Sequence, residues 1–324
     1  MDFIQLYGSY DRLGSRFIKV DNVISYLSES IECSEPNDSC NTEKSNNRLL
    51  SSTKNSAEIF CLGNELLIGR TINKNANEIA LELTKIGLEV QRETTVRDDL
   101  HQASQALKEI LVRKPTVIVI TGGLGPTHDD IQLEVIAKAL NSTLELSDLA
   151  VEMLEKRYHK PRSEIAVNQL KMAHLPKGAI ALHNSEGSAP GSMIKYNGTL
   201  IFSLPGVPRE MRAILTQEII PNIINIVKPG TRLYEFGFSA YDIGESKLEE
   251  FTVKAMAEYP DVGFKTHPRK DDNMYWVQLH AYKLDVNDDR VKSAIEMWYN
   301  LIKDKYEVKM TEISPIFTSS FQGE

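Results

Sequence analysis

The sequence has little of what marks a membrane, secreted or nucleic-acid-coating protein. No run approaches the roughly eighteen apolar residues that a membrane-spanning helix needs, and no basic-then-apolar signal pattern opens the chain. Cysteine is scarce. Cys33, Cys40 and Cys61 show no metal-ligand spacing, and Cys61 lies in an apolar stretch where a buried thiol is expected. A reducing, cytoplasmic compartment without membrane association is therefore the expectation. Basic residues do not dominate either: 37 Lys and Arg against 45 Asp and Glu leave a formal net charge of −8. That balance lacks the broad positive footprint of a nucleic-acid binder, so no nucleic-acid partner is expected. With 41% hydrophobic and 25% charged residues, the 324-residue chain suits one large or two moderate globular domains.

What the chain does have is concentrated in residues 116–130, TVIVITGGLGPTHDD. A β-branched run, Val117–Ile120, reads as a buried strand. Gly122, Gly123 and Gly125 then permit backbone conformations in which N–H groups face an anion. Asp129 and Asp130 supply the oxygen ligands that a hard divalent cation prefers. The pattern is neither a Walker A loop nor the dinucleotide G-x-G-x-x-G. An ordinary strand–turn–helix connection, with the aspartates capping the next helix, would carry the same letters.

Patterning along the chain divides it further. Residues 1–57 read as an N-terminal extension, partly disordered because Ser28–Ser56 is rich in Ser, Asn, Glu and Lys and buries little apolar surface. From residue 58 the reading is strand Glu58–Leu62, helix Asn73–Ile86, strand Leu88–Val96, helix Leu100–Val112 and strand Val117–Ile120. That alternation predicts an α/β domain, residues 58–228, with a mostly parallel sheet whose ligands sit beyond the strands' carboxyl ends. Glu65 and Asp98 fall at such ends, beside the glycine loop, although exposed carboxylates are often merely solvated. Helices are expected at Leu133–Leu140, Ser147–His159 and Ser163–Lys171. A hairpin, Gly191–Tyr196 and Thr199–Leu204, turns at Asn197-Gly198. A helix over Arg209–Ile220 is expected to end at Pro221. Residues 229–312 read as β-α-β-β-α-β, a smaller ferredoxin-like α+β domain closing on a strand at Tyr306–Met310, with 313–324 as an untethered tail.

With these segments laid out, the first domain resembles the MogA/MoaB-like molybdopterin-binding fold, three-layer α/β, and most closely its CinA (competence/damage-inducible) branch. The matching strings are Gly63-Asn64-Glu65-Leu66-Leu67-Ile68-Gly69, Asn73-Lys74-Asn75-Ala76, Thr121–Asp130, Gly187-Ser188-Ala189-Pro190-Gly191 and Leu204-Pro205-Gly206-Val207-Pro208-Arg209-Glu210-Met211. The molybdopterin-binding-like domain of FAD synthases is similar and shares the GPTHDD form. The resemblance implies metal-dependent hydrolysis of a nucleotide diphosphate such as ADP-ribose, with Mg²⁺, Mn²⁺ or Co²⁺. It places Gly122, Gly123, Leu124, Gly125 and Thr127 on the phosphates, and Asp130 and Asp129 on the metal. Glu65 and Asp98 would complete the metal shell or act as base, and Ser188, Gly191, Pro205 and Gly206 would shape the opposite wall. Asn73 or Asn75 could simply cap the first helix, and His128 could be a solvated loop residue. Two alternatives stay open: a non-catalytic molybdopterin or nucleotide-binding module, and molybdenum-cofactor adenylylation or insertion. The ligand is a small nucleotide or pterin in each case, and self-association, common in related folds, leaves a homo-oligomer open. Two departures stand out. Gln132 replaces the family's usual threonine, and too little chain follows residue 310 for the nicotinamide-nucleotide amidase of bacterial relatives.

Overall fold

The computed structural model describes residues 55–224, 226–227, 231–271 and 274–316. The expectations for residues 1–54 and 317–324 lie outside them. Strand β1 (Ser56–Leu62) is apolar apart from Ser56 and Glu58, and every one of its residues is buried. It begins at Ser56 rather than Glu58 because Ala57, fully buried, is paired between Val90 and Val117. Strands β2 (Glu89–Val96) and β3 (Val117–Thr121) flank it in parallel, joined through helices α1 (Lys74–Lys85) and α2 (Leu100–Arg113). Asn73 does cap α1, accepting the Ala76 N–H at 3.2 Å, and Asp99 caps α2.

After β3 come α3 (Gln132–Ala139), a short ladder of β4 (Leu144–Leu146) with β5 (His174–Pro176), and α4 (Asp148–Tyr158). The helix expected over Ser163–Lys171 is broken into a 3₁₀ turn at Arg162–Glu164 and one α-turn at Val167–Leu170. Strands β6 (Ile180–Leu182), β7 (Gly191–Tyr196) and β8 (Thr199–Leu204) complete a six-stranded sheet of order β2-β1-β3-β8-β7-β6. β8 runs parallel to β3; β7 and β6 add antiparallel pairings. The β7–β8 turn carries Asn197 at φ 48° and Gly198 at φ 87°, the left-handed pair that a tight hairpin requires.

One sheet face packs Phe60, Leu62, Ile118 and Ile120 against Leu107 and Ile110 of α2 and Val135 and Ile136 of α3. The alternate residues Ile59, Cys61, Val117 and Val119 are buried on the other face, so both faces are covered. The helix after β8, α5 (Pro208–Ile214), does not end at Pro221. It widens into a π-helical turn at Leu215–Ile219 and continues through Ile220–Ile223, a wider turn that spares Pro221 the hydrogen bond its ring nitrogen cannot donate.

The second, smaller domain has its own sheet. β9 (Arg232–Tyr241), α6 (Glu245–Glu258), β10 (Gly263–Lys270), β11 (Tyr275–Asp285) and α7 (Asp289–Lys305) precede β12 (Ser314–Pro315), and the sheet order is β10-β11-β9-β12. Trp298 is fully buried, with Phe238 and Phe264 edge-on to it at 6.1 and 5.2 Å. The closing strand is not Tyr306–Met310, which contributes one bridge from Met310 to Ala240. Thr311 takes the next β9 bonds instead, its N–H donating to the Ser239 carbonyl and its hydroxyl accepting from the Ser239 N–H. The ladder resumes only at β12. The expected tail is therefore tethered as far as Ile316, which donates to the Glu235 carbonyl at 3.0 Å and lies over Gly237. Among the described residues no helix is long and apolar enough to cross a membrane.

Candidate functional site

β1 sends the chain sideways to β2, whereas β3 lies on β1's other flank, so the sheet order reverses between β1 and β3. Such a reversal opens a crevice outside the carboxyl ends of the strands. Gly122 leaves β3 at φ +91°, and a side chain there would collide with the Leu62 carbonyl at the end of β1. Gly206, in the loop after β8, packs on the same backbone: a Cβ there would lie 3.3 Å from the Gly122 Cα. Leu124 buries its side chain with Leu133, Met172 and Ala189, which anchors the glycine loop and leaves its backbone facing outward.

The end of that loop is closed by its own side chains. Asp130 Oδ2 accepts the Thr127 N–H at 2.8 Å and is 2.6 Å from the Thr127 hydroxyl, which also reaches Asp129. One hydroxyl proton serves one carboxylate at a time. Neither aspartate caps α3, whose first position is preceded by Ile131 without a side-chain cap. From behind, Lys171 Nζ donates to the carbonyls of Thr127 (3.2 Å) and Asp130 and pairs with Glu134 at 3.4 Å.

These loops enclose a cleft of about 380 Å³. Gly122, Gly123, Leu124, Gly125 and Pro126 form one wall; Pro205, Gly206 and Val207 form the other, with Ser188 and Ala189 between. Five carboxylates line it, Glu65, Asp98, Asp129, Asp130 and Glu210, and no lysine or arginine is among the lining residues. Three of them press against glycine backbone: a Cβ on Gly63 would stand 2.6 Å from Glu65 Oε1, and one on Gly125 would stand 2.5 Å from Asp130 Oδ2. Gly187 meets the Glu210 carboxylate in the same way.

The electrostatics follow from that crowding. Asp98 accepts the Asn64 N–H at 2.9 Å and its Oδ1 lies beside Gly123. Burial raises its pKa above the ordinary carboxylate value, and the negative charges of Glu65, Asp129 and Asp130 raise it further against the pull of the Asn64 N–H. Asp129 is held below the ordinary value, first by the Thr127 hydroxyl, then by its own N–H and by His128 and Lys171 nearby.

Most of the predicted site residues come together here. Thr127 does not line the cleft but orients Asp130 from its rim. Gly191 was expected on the wall and is not there: it begins β7, buried against Ser203 and Ile214, because close strand packing is what excludes a side chain at that point. His128 is 98% exposed and does not line the cleft. Gln132 is fully buried and does not line it either; its Nε2 donates to the carbonyls of Gly122 (2.7 Å) and Leu204 (3.1 Å). Sequence reasoning gave Glu210 no role. Asn184 holds it at 2.7 Å while shaping the 184–189 turn, and only Glu210's place in the Leu204–Met211 string hinted at the site.

The donor set suits a hard cation. Among the described residues no three His, Cys, Asp or Glu side chains converge as a metal cluster. A cation such as Mg²⁺ needs only one or two carboxylates when water and substrate phosphates complete its shell. It would also relieve the repulsion visible at Asp98.

Comparison with known proteins agrees with this fold. Residues 58–225 match the family described as probable molybdopterin binding domain. A protein of Sulfurisphaera tokodaii is 42% identical over 249 residues, 76% of this chain and 94% of its own. One from Pyrococcus furiosus is 38% identical, over 74% of this chain and 94% of its own. Among solved structures, CinA from Thermoplasma acidophilum, a protein of unknown function, matches with a TM-score of 0.50 at 35% identity, over 53% of this chain and 99% of that one. The MogA/MoaB-like α/β fold implied by the sequence motifs is the fold observed, with a mostly parallel sheet and a second, smaller domain. The chain thus belongs to the probable molybdopterin-binding domain family, and its first domain is CinA-like.

Proposed function

We propose that the protein is a divalent-metal-dependent pyrophosphatase acting on a nucleotide diphosphate of the ADP-ribose type. The observation that carries this reading is a glycine-loop backbone and five carboxylates sharing one cleft at the reversal point of the sheet. Backbone amides alone would bind an anion, and the carboxylates alone would repel it. The two together suit a phosphate that arrives with a cation.

In this reading the amides of Gly122, Gly123, Leu124 and Gly125 hold phosphate oxygens, with Ser188, Pro205 and Gly206 on the facing wall. Asp130 and Asp129 hold Mg²⁺, Mn²⁺ or Co²⁺, which when bound supplies charge neutralisation and a more acidic water. Asp98, or Glu65 beside it, takes the proton of the attacking water. The water oxygen bonds to one phosphorus as the bridging P–O bond breaks, leaving AMP and a phosphorylated sugar. Thr127 keeps Asp130 turned to the cleft throughout. Gln132, buried behind the loop, leaves this chemistry unobstructed.

Release of AMP from ADP-ribose, followed by ion-pair chromatography with each metal, is the expected outcome. Asp130→Ala should lower the rate by roughly a thousandfold, the scale of losing a group that stabilises transition-state charge. No turnover across a panel of nucleotide diphosphates with all three metals would sink the proposal. The family description favours a second reading, in which the same cleft holds a pterin. Tight binding in calorimetry without product would support a non-catalytic module, and rescue of a molybdenum-cofactor-deficient strain would support cofactor adenylylation or insertion.

A further inference from the structure

Five carbonyls around the cleft are tied down from its rear by three residues. Gln132 holds three of them: its Nε2 donates to Gly122 and Leu204, at 2.7 and 3.1 Å, and its backbone N–H donates to Gly123 at 2.9 Å. The Thr121 hydroxyl donates to the Pro205 carbonyl at 2.9 Å. Asn75 Nδ2 donates to the Gly206 carbonyl at 2.8 Å and reaches Thr121 Oγ1 at 3.3 Å. Thr121 and Gln132 are buried, and none of the three donors lines the cleft, whereas Gly122, Gly123, Pro205 and Gly206, four of the five residues they hold, do.

In a trans peptide the C=O and the following N–H point in opposite directions. No peptide bond among the described residues is cis. Carbonyls drawn to the rear therefore turn the N–H groups of Gly123, Leu124, Gly206 and Val207 toward the cleft, two from each loop. Among the described residues none of these four N–H groups has a hydrogen-bond acceptor. The two loops touch at Gly122 and Gly206, so the four donors share one concave surface. Gln132 meanwhile leaves its Oε1 without a partner in a fully buried position. A side chain selected for its own solvation would not; it serves the carbonyls of the two loops.

We propose that Asn75, Thr121 and Gln132 are positioning residues that lock both loops into a single four-amide cradle for the diphosphate of a nucleotide. The proposal rests on the diphosphate reading above but adds the second loop and the residues that aim it.

The test is a titration of the ¹⁵N-labelled full chain with inorganic pyrophosphate and Mg²⁺. The amide protons of Gly123, Leu124, Gly206 and Val207 should move downfield along one saturation curve. Gln132→Met keeps the buried volume but loses the side-chain donors. It should weaken pyrophosphate at least tenfold and diminish the Gly123 response while Gly206 and Val207 still respond. Thr121→Val should do the reverse. If Gln132→Met fails to fold, Asn75→Ala, in the first turn of α1, carries the test through Val207. Pyrophosphate that binds without moving these amides, that does not bind, or that binds Asn75→Ala unchanged overturns the proposal. Responding amides in a protein that hydrolyses no nucleotide diphosphate uphold the cradle and remove only the pyrophosphatase reading. Hydrolysis with silent amides does the opposite.

Discussion

Asp98 in the cleft and Asp261 in the smaller domain are pulled in opposite directions by their surroundings. Asp261 accepts from Arg290 at 3.0 Å and lies 2.9 Å from Lys283, and those cations hold its pKa down at about 2. Asp98 is pushed up by burial and by three neighbouring carboxylates. The contrast extends beyond the pair. In the smaller domain Glu250 meets Lys305, Asp288 meets Lys292 and Glu235 meets His280. Among the described residues, none of the five cleft carboxylates forms an ion pair with lysine or arginine. One region pairs these carboxylates with built-in cations; the other gathers five carboxylates without a lysine or arginine partner, which leaves a negative potential in the cleft.

The opposite end of the large sheet sharpens the comparison. Glu58 lies near the start of β1, only 1% exposed, and Arg113 grips it with two bonds of 2.7 and 2.6 Å. Here the fold buries a carboxylate and supplies its cation. Arg113→Ala should therefore show the largest stability loss, about 3 kcal/mol in denaturant unfolding, because it strands a buried charge. A loss within a few tenths would mean that Glu58 tolerates isolation as the cleft carboxylates do, and the contrast would collapse.

Asp261→Asn should be milder. The carboxylate is largely exposed and solvent screens the pair, so about 1 kcal/mol at neutral pH is the expected loss. The sign follows from linkage. A depressed folded pKa adds stability that is present above the ordinary carboxylate value and lost as pH falls through about 2. Wild type and variant should converge there in thermal unfolding followed by circular dichroism. A gap that persists below that pH would assign the effect to packing instead.

Much of this arrangement was legible in the chain. The β-branched run Val117–Thr121, the Asn197-Gly198 turn and the glycine loop with its aspartates announce themselves by local pattern. The illegible parts are those whose partner lies far along the sequence. Glu58 is an anomalous charge in an apolar strand until Arg113, 55 residues later, is seen beside it. Glu210 depends on Asn184, 26 residues earlier, and Gln132 on a Leu204 carbonyl 72 residues later. Spacing reveals which face a side chain occupies, not which carbonyl waits across the gap. The last strand was misplaced for the same reason: Thr311's bonds to Ser239 and the cover of Ile316 over Gly237 decide where β9 finds its edge partner. Strands of three residues, such as β4 and β5, are too short to show a period at all.

The smallest expected effect is also the one with the reversed sign. Asp98 has its folded pKa raised above the unfolded value, so the folded state binds that proton more tightly than the unfolded chain does. Ionising Asp98 therefore removes stability as pH rises from the ordinary carboxylate value through the raised one. Asp98→Asn keeps an oxygen to accept the Asn64 N–H but carries no charge. It should melt above wild type at neutral pH and level with it at pH ~3, where both chains present a neutral group. Millimolar Mg²⁺ should raise the wild-type midpoint and close the neutral-pH gap, because a cation relieves the same repulsion that the substitution removes. Asp261→Asn should not respond to Mg²⁺ in this way, its cations being built in. If Asp98→Asn melts below wild type at neutral pH, or if Mg²⁺ leaves the gap untouched, the cleft carboxylates are not in conflict. The difference between the two regions would then be one of exposure alone.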